Sequence, residues 1–423
     1  MSKKHNGDEM KLEYGKGFLE IPIDEKKLIG VLQPKEVRGI EWVEDAVKES
    51  LEKPVGSLSL SEIVKGKKTV LILTVNFTRP SPRALIKPIA DLCKRMKLDV
   101  TILIARGRHR SMTKEEIRNH LGDDLFDQFP VLEHDPFDEG SHREIGKTSR
   151  GVPIRVNKAI FENDVVIGTG IVEPSYLCGF TGGRKILVPG ISHYRSIDLN
   201  HYLLLEKGAS PGILDGNPLS EDSEEAARKL PFHWITYSVV GAEDQVTEVI
   251  SGNPFQAHRF ACEKSRTIYT CERKPADIAI SSPGGYPYDC DLVQAKKAII
   301  PAMATVKPKG AIIIMAECRE GWGAEPTFRE WLISFSPEEV MTKVKEKELF
   351  SLGAHGAYLF AKPLVQDGVK VILVTNPEMV KDLKGTYLEA VCSIEEAIEF
   401  AHRHTSKEAN ITALKKARRL IIS

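Results

Sequence analysis

Short apolar, β-branched runs recur along this chain, each ending in a polar loop and followed by a stretch of helical character. No other feature restricts the fold as much. Thr69-Val70-Leu71-Ile72-Leu73-Thr74-Val75 is the first clear run, and it breaks at Asn76-Phe77-Thr78-Arg79-Pro80. A helix is predicted over 83–96, then a strand over 100–105 that ends at Arg106-Gly107-Arg108-His109-Arg110. Thr113 and Glu116 stand at capping-box spacing for the next helix. A third strand, 165–168, leads to the glycine-rich stretch 179–190. The pattern restarts after a polar stretch near 273, with strands over 277–282, 310–316 and 369–374 and a helix through Gln294 and Lys297. Continuous apolar strands alternating with helices predict an α/β fold whose largely parallel sheets are covered on both faces.

A chain of 423 residues suits two domains, each with its own core. The expected division is an N-terminal α/β domain over 1–273 and a C-terminal α/β domain over 274–410, with a final helix from about 411 to 423 able to pack back on the first. Ligands of such sheets bind beyond the C-terminal strand ends, where every polar cluster above falls, so the interdomain cleft is the expected active site.

Composition removes several function classes. The 59 basic and 59 acidic side chains balance, which gives no electrostatic reason to expect nucleic acid or an anionic membrane. Lys415, Lys416, Arg418 and Arg419 read as a solvated face of the terminal helix. Met1-Ser2-Lys3-Lys4-His5 lacks an apolar segment, and no run approaches the roughly 18–20 apolar residues that cross a bilayer, so a cytoplasmic location is expected. Seven cysteines are scattered without a C-x-x-C pair, against a zinc ribbon, an iron–sulfur cluster or a disulfide framework.

The densest motif runs Pro174-Ser175-Tyr176-Leu177-Cys178-Gly179-Phe180-Thr181-Gly182-Gly183-Arg184-Lys185, continues through Pro189-Gly190 and closes at Asn200-His201. Its glycines suit close approach of a ligand and exposure of N–H groups to a phosphate. A purely structural turn is the other reading. Ile186 after the lysine rules out a Walker A loop, and no G-x-G-x-x-G follows the first strands.

This stretch resembles the signature of the nickel-dependent lactate racemase family, where a glycine pair precedes a lysine and a histidine follows sixteen positions later, as Gly182, Gly183, Lys185 and His201 do here. The resemblance implies a nickel-pincer nucleotide (pyridinium-3-thioamide-5-thiocarboxylic acid mononucleotide with Ni) covalently attached to Lys185, with His201 as a nickel ligand; one imidazole in a four-coordinate planar site suits Ni(II). Asn76-Phe77-Thr78-Arg79-Pro80 resembles the family's Asp-x-Thr-Arg-Pro, which assigns the substrate carboxylate to Arg79, a substrate contact to Asn76 and a cofactor contact to Thr78. Gly107-Arg108-His109-Arg110 is similar to the loop that carries a catalytic histidine, here His109. Gly284-Gly285-Tyr286-Pro287 with Asp289, Gln294 and Lys297 matches the segment expected to bring Gln294 and Lys297 to substrate. His134 carries only a pocket-shaping expectation.

Two positions depart from the family pattern. Asn76 replaces an aspartate, and Ser175 replaces a second catalytic histidine. Inversion at C2 presents the hydroxyl from two directions, so two proton acceptors are expected, and a free serine is too weak for the task. Three substitutes stand open: His355 as the second base, a Ser175–water relay, or hydroxyls of a larger substrate occupying the room that Ser175 leaves. The implied activity is a nickel-dependent isomerase: a racemase or 2-epimerase of a 2-hydroxy carboxylic acid, by hydride transfer to and from the cofactor. The implied partners are that small molecule and the cofactor-maturation enzymes, with no nucleic acid and no membrane. The rivals are an oxidoreductase that stops at the 2-keto acid and a non-catalytic ligand-binding homologue.

Overall fold

Thr69–Val75 is buried through its interior on both faces, which is why it reads as an unbroken apolar run rather than an alternating one. In this computed structural model, which describes residues 10–347 and 349–423, the strand lies inside a six-stranded sheet. The order across the sheet is Val246–Gly252, Trp234–Val240, Val165–Val172, Thr69–Val75, Asp99–Ala105 and Val131–Glu133. All neighbours are parallel except the Val246–Gly252 edge strand.

Side chains split by the two-residue period of the strand. Val70 and Ile72 face a core shared with Ile86 and Ile89 of the Arg83–Arg95 helix, and Leu71 and Leu73 face one shared with Ile186, Leu187 and Val188. The second core therefore grips the stretch just after Lys185, at about 1.5–3 kcal/mol for each fully buried large aliphatic side chain.

The second sheet orders Glu389–Val391, Lys370–Val374, Val306–Met315, Ala276–Ser281, Ile411–Leu414 and Leu28–Leu32, all parallel. Leu28–Leu32 explains why the chain does not divide at residue 273 alone. The described residues through Pro34 join Thr270–Ser423 in one compact unit, and Lys35–Tyr269 form the other. Leu12 and Ile21 lie in the same core as Ile278, Ile313 and Ile372.

The C-terminal stretch differs from its expectation. It is no helix: Ile411–Leu414 is a strand paired with Ala276–Ser281, followed by a short 3-10 turn, Ala417–Arg419. Arg418 and Arg419 are buried there against Tyr288, with Arg418 Cζ 3.6 Å from the ring centroid and Arg419 Nη2 donating to the phenol oxygen at 3.0 Å. No described helix is long and apolar enough to cross a membrane. Residues 1–9, including the start that was read for a leader, lie outside the described residues.

Candidate active site

In the Lys35–Tyr269 unit the predicted residues other than Ser175 arise on four segments, three of them tied together by named bonds. Asn76, Thr78 and Arg79 follow the Thr69–Val75 strand, and His109 lies on the turn after Asp99–Ala105. Lys185 is on a 3-10 turn, Gly183–Ile186, and His201 is near the end of the Tyr194–Tyr202 helix. The His109 turn meets the lysine loop where Gly107 N–H donates to Gly190 O at 3.0 Å. It meets the His201 helix through an Arg108–Asp198 ion pair at 2.8 Å, with side chains only 10% and 3% exposed. Arg106 holds the His109 carbonyl through Nη1 at 2.9 Å.

The Pro218–Arg228 helix supports two of these segments. Arg184, 2% exposed, donates to Ser220 O at 3.1 Å, to Ser220 Oγ at 2.8 Å and to Cys178 O at 3.0 Å. Asn200, beside His201, donates to Asp222 Oδ2 at 2.8 Å. Asn217 caps that helix by accepting from the N–H groups of Leu219 and Ser220, and its amide donates to Leu177 O at 2.7 Å. One helix thus sets both the lysine turn and the histidine helix. Gly179 and Gly183 have φ of +75° and +52°, and a Cβ would lie 1.9 Å from Ile213 O and 2.4 Å from His258 Cγ respectively. At those two positions glycine is required by packing, as the structural reading of the loop anticipated.

Several side chains have the chemistry that a ligand would use. His201 is 8% exposed, and its Nδ1 lies 2.9 Å from Ile197 O. A carbonyl only accepts, so Nδ1 carries that proton, which makes Nε2 the ring nitrogen suited to a metal. Lys185 is half-buried, and its amine forms no hydrogen bond or ion pair among the described residues. Asn76 is 3% exposed; its Oδ1 accepts from Thr78 Oγ1 at 2.7 Å, but its Nδ2 is buried without a partner. An orphaned buried donor costs about 1–3 kcal/mol unless a bound molecule accepts from it. Ser175 is 6% exposed on a two-residue strand paired with Gly179, and no described residue hydrogen-bonds its hydroxyl.

Arg79 is in a setting that the sequence did not disclose. Its Nε lies 3.1 Å from Oε1 of Glu173, a carboxylate with no solvent exposure, and its Nη1 donates to Thr78 O at 2.7 Å. His134 is completely buried between Ser192 O and the Asn157 amide, and burial pushes its pKa down to about 3, which suits a shaping role.

Gln294, Lys297 and His355 belong to the other unit. Asp291 caps the short Leu292–Ala295 helix, and Lys297 Nζ donates to Gln294 Oε1 across one turn, as their spacing predicts. His355 has no solvent exposure in the Leu352–Asp367 helix, and its Nδ1 donates to Leu352 O at 3.2 Å. Its neighbour Gly356 packs on the same turn, where an added Cβ would lie 3.3 Å from Lys296 Nζ.

Profiles of two domains match in order along the chain: the lactate racemase N-terminal domain over 14–212 and the lactate racemase C-terminal domain over 271–422. The chain belongs to the lactate racemase family. A lactate racemase from Thermoanaerobacterium thermosaccharolyticum is 32% identical over 96% of this chain and 97% of its own length. One from Lactiplantibacillus plantarum is 29% identical over 95% and 97%. The structure of the apoprotein of the Thermoanaerobacterium enzyme superposes with a TM-score of 0.90 at 31% identity, covering 98% of this chain and all of that one. A Thermotoga maritima protein of 20% identity shares the fold, with a TM-score of 0.73 over 92% of this chain and all of that one. Asn76 and Ser175, where this chain departs from the expected family motif, are both buried.

Proposed function

We propose that this family member is a racemase or 2-epimerase of a 2-hydroxy carboxylic acid, working with a nickel-pincer nucleotide on Lys185. The observation that carries the reading is the bonding of the His109 turn, the Lys185 loop and the His201 helix into one cluster. Lys185 offers an uncommitted amine for the covalent link, and His201 offers Nε2 to the metal. When bound, the cofactor supplies the acceptor and donor for the C2 hydride of substrate. Arg79 binds the substrate carboxylate, with a fork oriented by two contacts. Asn76 Nδ2 donates to a substrate oxygen and so loses its orphan status. His109 takes the hydroxyl proton from one side and returns it. Gln294 and Lys297 are the further substrate-binding residues that the family motif implies, and Thr78, Gly182 and Gly183 contact the cofactor.

The second proton acceptor is proposed as His355, with a Ser175–water relay or a hydroxyl of a larger substrate as the alternatives. A second reading, an oxidoreductase releasing the 2-keto acid, is favoured by the same absence of a base at Ser175. Cytoplasmic residence and dependence on cofactor-maturation enzymes follow from the family reading.

The deciding experiment measures intact mass and nickel content after co-expression with those maturation enzymes. Wild type is expected to carry a covalent adduct and nickel, and Lys185→Ala neither. No adduct in competently matured wild type overturns the cofactor assignment. With adduct in hand, a C2-deuterated 2-hydroxy acid is expected to invert and keep its deuterium. Accumulation of 2-keto acid instead selects the oxidoreductase.

A further inference from the structure

Glu173 has no role in the reading above, yet its side chain is wholly buried and faces the guanidinium assigned to substrate. Its peptide is clamped on both sides by one residue. Glu173 N–H donates to Thr181 Oγ1 at 3.0 Å, and Thr181 N–H donates to Glu173 O at 2.8 Å. Thr181 Oγ1 also reaches Ile171 O at 3.0 Å. Beyond Thr181 the bonds continue: His258 Nε2 donates to Thr181 O at 2.8 Å, and Arg184 Nη1 donates to His258 Nδ1 at 3.3 Å. Arg184 is the residue before Lys185. One unbroken series of hydrogen bonds therefore joins the lysine turn to Arg79.

We propose that Glu173 is a positioning residue, which fixes the Arg79 guanidinium and, through Thr181, holds it at a constant place relative to Lys185. The inference rests on the reading that Arg79 binds the substrate carboxylate. An arginine stem is long and loses much rotamer freedom when it is ordered. A carboxylate on Nε and a carbonyl on Nη1 impose that order before substrate arrives, so binding does not have to. The arrangement is self-consistent electrostatically, since a fully buried carboxylate is tolerated only beside a cation and further donors.

Two variants of the full, cofactor-loaded chain test this. Glu173→Met removes the acceptor at similar volume, while Glu173→Gln keeps an acceptor, loses the charge and is the variant to read if Glu173→Met fails to fold. Both leave the peptide clamp to Thr181 in place. The first readout is the Arg79 Nε–H resonance, which exchanges slowly with solvent while it is bonded to Glu173. The second is the split of KM and kcat for lactate and for glycerate. Losing a charge-assisted bond of this kind predicts a KM rise of about 10- to 100-fold for Glu173→Met with little change in kcat, and a smaller rise for Glu173→Gln. The Arg79 resonance should exchange fast in the first variant and partly recover in the second. An unchanged KM, or a resonance still protected in Glu173→Met, overturns the proposal. If wild type turns over neither acid, the functional reading loses its support, and the resonance alone decides for or against the positioning.

Discussion

At Gly183 a methyl group would have nowhere to go, because the left-handed backbone and the His258 ring 2.4 Å away both oppose it. Left-handed strain and overpacking together predict a loss of about 2–4 kcal/mol for Gly183→Ala, measured by urea unfolding. Gly17→Ala, with no atom within 4 Å of the new Cβ, is the near-neutral comparison. The candidate residues themselves were legible, since Arg79, His109, Lys185 and His201 all belong to motifs with readable spacing. Their supports were not. Glu173 ends an apolar strand and looks like any polar tip until folding brings Arg79 against it. Asp198 and Asp222 look like ordinary acidic positions on helix surfaces, and only tertiary packing shows Arg108 paired with the first and Asn200 bonded to the second. A charge at the border of an apolar run was the one available signal, because such residues are rarely buried without a partner.

Among the elements, the parallel strands were read well where both faces are buried, since an uninterrupted apolar run leaves little ambiguity. Thr69–Val75 matches its expected bounds, and the Thr113–Glu116 capping box forms as spaced. Two strands near the ends of the described residues were not read. Leu28–Leu32 is only partly buried and includes a glycine, so its apolar signal is weak. Ile411–Leu414 was mistaken for a helix because the basic residues after it suggest an amphipathic surface, whereas Arg418 and Arg419 are buried on Tyr288. These elements carry their own prediction. Leu12, on the Lys11–Tyr14 strand, has no exposure and lies in the core of the unit built mainly from Thr270–Ser423. Leu12→Ala should cost about 2–5 kcal/mol. Hydrogen exchange should accelerate at Ile278 and Ile313 and not at Ile72 or Ile102 of the other unit.

For the molecule as a whole, two of the enclosed imidazoles, His134 and His258, make stability depend on pH. Burial lowers the pKa of both His134 and His258 from 6.5 to about 3, with the Arg184 charge adding to the effect at His258. Above 6.5 both rings are neutral, folded or unfolded. As pH falls below that value the unfolded chain takes up protons that the folded chain refuses, so stability declines by about 1.4 kcal/mol per pH unit for each ring. Urea midpoints between pH 7.5 and 5.5 should fall accordingly in wild type and less steeply in His134→Asn. The division of the chain was the least legible property, since pattern reading follows sequence order and this chain does not. One unit takes its last central strand from Ile411–Leu414 and its edge strand from Leu28–Leu32. The other is continuous, and Lys35 N–H donates to Ile268 O at 2.8 Å, so its two ends lie side by side. During synthesis on a ribosome the continuous unit can therefore finish folding while roughly a third of the chain is still untranslated. Leu28–Leu32, made early, must wait without its strand partner until Ile411–Leu414 has been made.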